Sequence, residues 1–183
     1  DLCYNQNGVG FSAQQSGRMH AWVEETLSSQ LVPPPDVFIS EFAEGSGYNR
    51  YIEIYNGTDT ELDLSNFAFP GVGNEPETPG EYEYWNRFDS SATIAPGDVY
   101  VIANPSADSL ILAEADQIFQ YITNGNDGFC LVQGGTWTDD DDNGDIDSGE
   151  MTGYTILDCI GDWNGDPGDG WDVAGITAAT KDH

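Results

Sequence analysis

The sequence predicts an all-β fold, a β-sandwich preceded by one N-terminal α-helix. Three observations carry this. Sustained helical spacing of apolar residues is found in positions 1–31. Three consecutive prolines then stiffen the chain. Beyond them the apolar residues fall into short runs separated by Gly and Pro turns.

In the first segment, Ser12-Ala13-Gln14-Gln15 has the pattern of a capping box, with Ser12 as N-cap and Gln15 reaching back. Met19, Trp22, Val23 and Leu27 follow at helical spacing, and Gly17 weakens the helix slightly. This stripe is packing surface rather than a cofactor site. Val32-Pro33-Pro34-Pro35-Asp36 is an extended linker, so residues 1–31 and 37–183 are expected to be separate units joined by 32–36.

Strands are expected from Val37 to Phe42 and from Tyr51 to Tyr55, where alternation is clean. Leu62-Asp63-Leu64 leads into Phe67-Ala68-Phe69. Thr93-Ile94 and Val99 to Ala103 flank the turn Ala95-Pro96-Gly97-Asp98. Leu110 to Glu114 has the length of a short helix. Phe129 to Val132 and Thr155 to Ile160 close the series. Gly71 to Tyr84, rich in Pro, Gly and Glu, reads as a long insertion without periodicity.

Between the last two strands lies the acidic stretch 139–150. As a twelve-residue calcium loop it puts Asp139, Asp141 and Asn143 at positions 1, 3 and 5, and Gly144 at the sharp turn. Asp145 at position 7 offers its backbone carbonyl, Asp147 acts through water, and Glu150 closes the site with two oxygens. Ile146 anchors the loop to a core. Calcium takes six to eight oxygens, and this register offers them in order. The alternative is an acidic solvated turn. The flanking residues are not helical, so the loop is expected as a metal-pinned hairpin rather than as part of a sensor that opens a helix pair. Cys130 and Cys159, on the strands flanking the loop, are placed for a disulfide. Two buried thiols are the competing reading.

Thirty-three acids face four bases, a net charge of −29. Arg18, Arg50, Arg87 and Lys181 are scattered, so the chain repels nucleic acid and anionic membranes. Its acidity suits a cation-rich setting. No apolar run reaches the ~20 residues of a membrane span, and the opening residues do not read as a signal peptide. The abrupt start at Asp1-Leu2-Cys3 has the look of the interior of a longer protein. The cysteine count is three, so one lacks a partner within the chain.

There is no Gly-x-Ser-x-Gly, phosphate-binding loop or His-Glu-x-x-His, and the two histidines, His20 and His183, are far apart in sequence. Asp162, Asp166, Asp169 and Asp172 are either a second cation site or turn formers, and turn chemistry accounts for them better. Asn56-Gly57-Thr58 is both a glycosylation sequon and an ordinary turn.

Residues 37–183 resemble the lamin tail domain, through Phe38-Ile39-Ser40-Glu41, Ile52-Glu53-Ile54-Tyr55-Asn56, Leu62-Asp63-Leu64-Ser65, Ala95 to Asn104, Asn124 to Asp127, Gly165 to Trp171 and Thr180 to His183, in that order. The resemblance implies an immunoglobulin-like sandwich without common catalytic residues, of a kind that accompanies secreted nucleases, phosphatases and proteases. It also implies one further strand after His183, which leaves a sheet edge open. Residues 1–31 resemble the end of a pappalysin-type zinc metalloprotease domain, through Asp1, Cys3, Phe11-Ser12, Gln15 and Arg18-Met19. That implies a disulfide partner for Cys3 upstream. The expected function is therefore a non-catalytic, calcium-stabilised module of a secreted metalloprotease, at the cell surface or beyond it. Its work would be adhesion, spacing or substrate presentation toward an extracellular polymer or protein. A self-assembling filament subunit joined by strand addition and a nuclease accessory domain are the alternatives.

Overall fold

The computed structural model describes residues 36–122, 126–172 and 175–181, all within the unit Pro35–His183. The expected helix in 1–31, Cys3, the prolines of the linker, Asn124-Gly125 and Asp182-His183 lie outside the described residues.

β1 (Val37–Glu44) and β2 (Arg50–Asn56) pair antiparallel, with a bulge in β1 between Ile39 and Glu41. Alternation along β2 turns Ile52, Ile54 and Asn56 inward, and all three are fully buried. β3 (Leu62–Asp63) runs into a short 3-10 turn, where the Asp63 carboxylate accepts the Ser65 N–H, and on to β4 (Phe67–Ala68) and β5 (Gly71–Val72). β6 (Thr93–Ile94) pairs with β3, and β7 (Val99–Ala103) pairs with β2. Helix α1 (Ser109–Glu114), capped by Asp108, returns the chain to β8 (Gln117–Ile118), which lies parallel to β7. The first sheet therefore has the order β1-β2-β7-β8.

β9 (Gly128–Gln133) is the centre of the second sheet. A short ladder, β10 (Thr136–Trp137) with β11 (Met151–Thr152), leads to β12 (Thr155–Ile160), which pairs with β9 on one side while β4 and β5 hold the other. The architecture is an immunoglobulin-like β-sandwich.

Ile52 and Ile54 of β2 and Tyr100 and Ile102 of β7 form a single apolar cluster with Phe129 and Leu131 of β9, filled in by Leu64, Phe69, Ile94 and Ile122. Each such side chain contributes roughly 1.5–3 kcal/mol by leaving water. Cys130 and Val132 point to the other face of β9, where Ala68, Trp85, Tyr154 and Trp163 cover them. Burial on both faces explains why 129–132 is a continuous apolar run and not an alternating one.

The two sheets meet along their edge strands. The Asp158 carboxylate accepts N–H bonds from Ile39 of β1 (3.0 Å) and from Cys159 (2.9 Å), and β12 is bulged beside it, between Ile156 and Asp158. A bulge and an inward charge both blunt an edge against further pairing.

The stretch from Gly71 to Tyr84 differs from its expectation. Gly71 bridges to Tyr84, Val72 pairs with β9, and Tyr82 is buried. The insertion folds back as a cover for the second sheet. Its partners are more than forty residues away on β9, so no local period marks it.

Candidate metal centre

β10 and β11 hold the acidic loop at its base. Trp137 faces Met151, and the Thr138 N–H donates to the Glu150 carbonyl at 3.0 Å. Above that ladder the Asp139 carboxylate accepts N–H bonds from Asn143 (3.1 Å) and Gly144 (3.0 Å). Asp141 accepts from the Asn143 N–H as well, at 3.2 Å. The Asn143 amide nitrogen donates to Asp141 (3.1 Å) and Asp147 (2.8 Å), while its oxygen accepts the Asp145 N–H at 2.6 Å. Gly144 has φ +85°, a backbone that glycine adopts without strain, and this is the sharp turn expected at that position.

Glu150 is the buried member, only 5 % exposed. It accepts N–H bonds from Asp140 (2.9 Å), Asp147 (2.9 Å) and the Trp137 indole (3.3 Å). A hydrogen bond from the Asp140 carboxyl and those N–H donors hold its pKa down at about 2. Sharing that hydrogen bond pushes Asp140 up. Glu150 is thus kept ionised in a neighbourhood of other acids.

One oxygen each from Asp139, Asp141 and Glu150 lie within 4.8 Å of one another. An ion that binds oxygen at roughly 2.3–2.6 Å can span that separation. Of the six expected ligands, these three converge. Asn143 and Asp147 adjoin them through the hydrogen bonds above. Asp145 is exposed and tied in through its N–H. Ile146 is half-buried.

One residue of the site has no counterpart in the sequence reading. The Tyr82 hydroxyl donates to the Asp147 carbonyl (2.9 Å) and accepts the Met151 N–H (2.8 Å), pinning both ends of the loop's second half. Burial pushes its phenol pKa up, which keeps it a neutral donor. Tyr82 falls in the 71–84 insertion, where no periodicity singles it out. Nothing local named its partner.

Cys130 and Cys159 stand opposite each other in the β9–β12 register and are disulfide-bonded, so the two-thiol alternative does not hold. The sequon is closed. Asn56 is fully buried, and its amide nitrogen donates to the carbonyls of Thr60 (2.9 Å), Ile94 (3.0 Å) and Ala95 (3.2 Å). A sugar could be attached only by breaking these. The second acidic group follows the turn reading. Asp162, Asp166 and Asp172 accept N–H bonds from Asn164, Gly168 and Ala178, and Asp169 pairs with Lys181.

A family model described as Lamin Tail Domain matches residues 32–158, well over half of the chain. The chain belongs to the lamin tail domain family. The acidic loop lies inside the matched residues, whereas the expected lamin tail landmarks at 165–171 and 180–183 lie beyond them. No curated protein matches the chain.

Proposed function

We propose that this lamin tail domain is a non-catalytic, calcium-stabilised β-sandwich module of a secreted protein, serving adhesion, spacing or substrate presentation. The carrying observation is the convergence of Asp139, Asp141 and Glu150 at the top of a ladder that pins the loop at both ends. Without a cation these carboxylates repel one another. A cation that binds the folded state stabilises it by mass action. The disulfide supports an oxidising, extracellular compartment. Membership in a generally non-catalytic family supports the reading of the chain as a module. The order Asp1, Cys3, Phe11-Ser12, Gln15, Arg18-Met19 supports a metalloprotease as the parent.

Thermal melting with calcium and with chelator tests this. At calcium one hundred times Kd the gain is about 2.7 kcal/mol, which for a chain of this size shifts the midpoint upward by roughly 5–10 °C. Glu150→Gln removes most of the shift. Identical melting with calcium and with chelator, in both proteins, overturns the calcium assignment. Zinc-dependent cleavage of casein by the pure chain overturns the non-catalytic one.

A further inference from the structure

A groove of about 930 Å³ opens on the outer face of the second sheet, away from the acidic loop's carboxylates. Its floor is the Cys130–Cys159 disulfide, and Tyr154, Trp163 and Trp171 line it with aromatic surface. Asp162 and Asp172 add carboxylates, and among the described residues no lysine or arginine lines it. The walls are fixed before any ligand arrives. The Trp163 indole N–H donates to the Ile160 carbonyl at 3.2 Å. Trp171 stacks on Phe42 at 5.0 Å between ring centroids. It also packs so closely on Gly161 that a Cβ there would meet the ring at 3.0 Å. Asp162 and Asp172 each commit one oxygen to a turn N–H, and in each the other has no partner among the described residues.

We propose that this groove binds a basic peptide segment of a partner protein, seating a Lys or Arg side chain on the aromatic lining with Asp162 and Asp172 answering its charge. Charge complementarity decides the occupant. Aromatic faces attract cations, and the attraction strengthens as water is excluded. Two carboxylates in a described lining that holds no basic side chain, the nearby Lys181 being paired with Asp169, favour a guanidinium or an ammonium. The chain's charge of −29 draws cationic partners in from a distance and turns anionic ones away. Rings already held in place lower the ordering cost of binding. The inference rests on reading the chain as a binding module, but it makes no use of the acidic loop. Failure here leaves the calcium result standing, and the reverse also holds.

The test is isothermal titration of the 183-residue chain in calcium buffer at moderate salt. The probes are an alternating Arg-Val peptide, its Glu-Val counterpart and a neutral glucose oligomer. The Arg-Val peptide binds, and the other two do not. Asp162→Asn with Asp172→Asn weakens it by about tenfold or more. This pair keeps both turn acceptors, so its melting temperature stays near that of the native chain. Trp163→Ala weakens binding by a similar factor. Undiminished binding in the double variant overturns the proposal, because it assigns the affinity to the general charge of the surface. Binding of the glucose oligomer in place of the Arg-Val peptide overturns it as well.

Discussion

Between the sheets, Ile52, Ile54, Ile102 and Leu131 lose all contact with water and need no partner beyond one another. In the acidic loop every residue but Asp139, Ile146 and Glu150 is exposed, and the contacts are hydrogen bonds from N–H groups to clustered carboxylates. The first region excludes water and is indifferent to ions. The second keeps its shape by satisfying N–H groups with carboxylates that repel one another. A single chain thus carries a core held by packing and a loop held by hydrogen bonds to clustered charge.

The sharpest break comes in the core. Leu131→Ala leaves a cavity where the two sheets meet and costs about 2–5 kcal/mol. Denaturant unfolding should show the same loss with calcium and with chelator. A loss that calcium restores would mean that core and loop are not independent.

Next is the disulfide, which joins positions 29 apart in sequence. Replacing Cys130 and Cys159 together by Ser relaxes the unfolded chain by about 3–4 kcal/mol. Because the bridge sits at the base of the hairpin that carries the loop, calcium affinity should fall only slightly. Peptide mapping without reductant provides the check on the native bond: alkylation of both cysteines in the untreated protein would refute it.

Smaller, and diagnostic of the link between the regions, is Tyr82→Phe. It leaves the Met151 N–H buried without its acceptor, at roughly 1–3 kcal/mol. Here both global stability and the calcium shift should decline. An unchanged calcium shift would show that Tyr82 braces the fold without shaping the loop.

The smallest effect is that of pH. Glu150 is depressed to about 2 in the folded chain, below its ordinary 4.5. Its contribution is therefore present above about 4.5 and lost as pH falls toward 2. Asp140, raised, acts in the opposite sense and makes the slope shallower. In chelator, stability should decline more over that window in the native chain than in Glu150→Gln. Equal slopes would remove Glu150 from the account.

Local spacing made much of this molecule legible. The Tyr51 to Tyr55 alternation marked β2, the short helix appeared near Leu110, and the loop register placed Asp139, Asp141 and Glu150 together. The cysteine pair was legible because two strands flanking one loop are neighbours. Each of these features depends on residues a few positions apart, or on strands joined by a single hairpin. Tyr82 is different. It is 65 residues from the Asp147 carbonyl it bonds, in a stretch with no local period. The sequence left Asn56-Gly57-Thr58 undecided between sequon and turn, because the burial of Asn56 depends on the carbonyls of Ile94 and Ala95, 38 and 39 residues away. The parallel β8, the return of the 71–84 insertion onto β9 and the aromatic groove were decided in the same way. Periodicity tells which face of an element is apolar. Only the packed chain decides which other face it meets, because many pairings bury similar area and the specific polar contacts form after the choice is made.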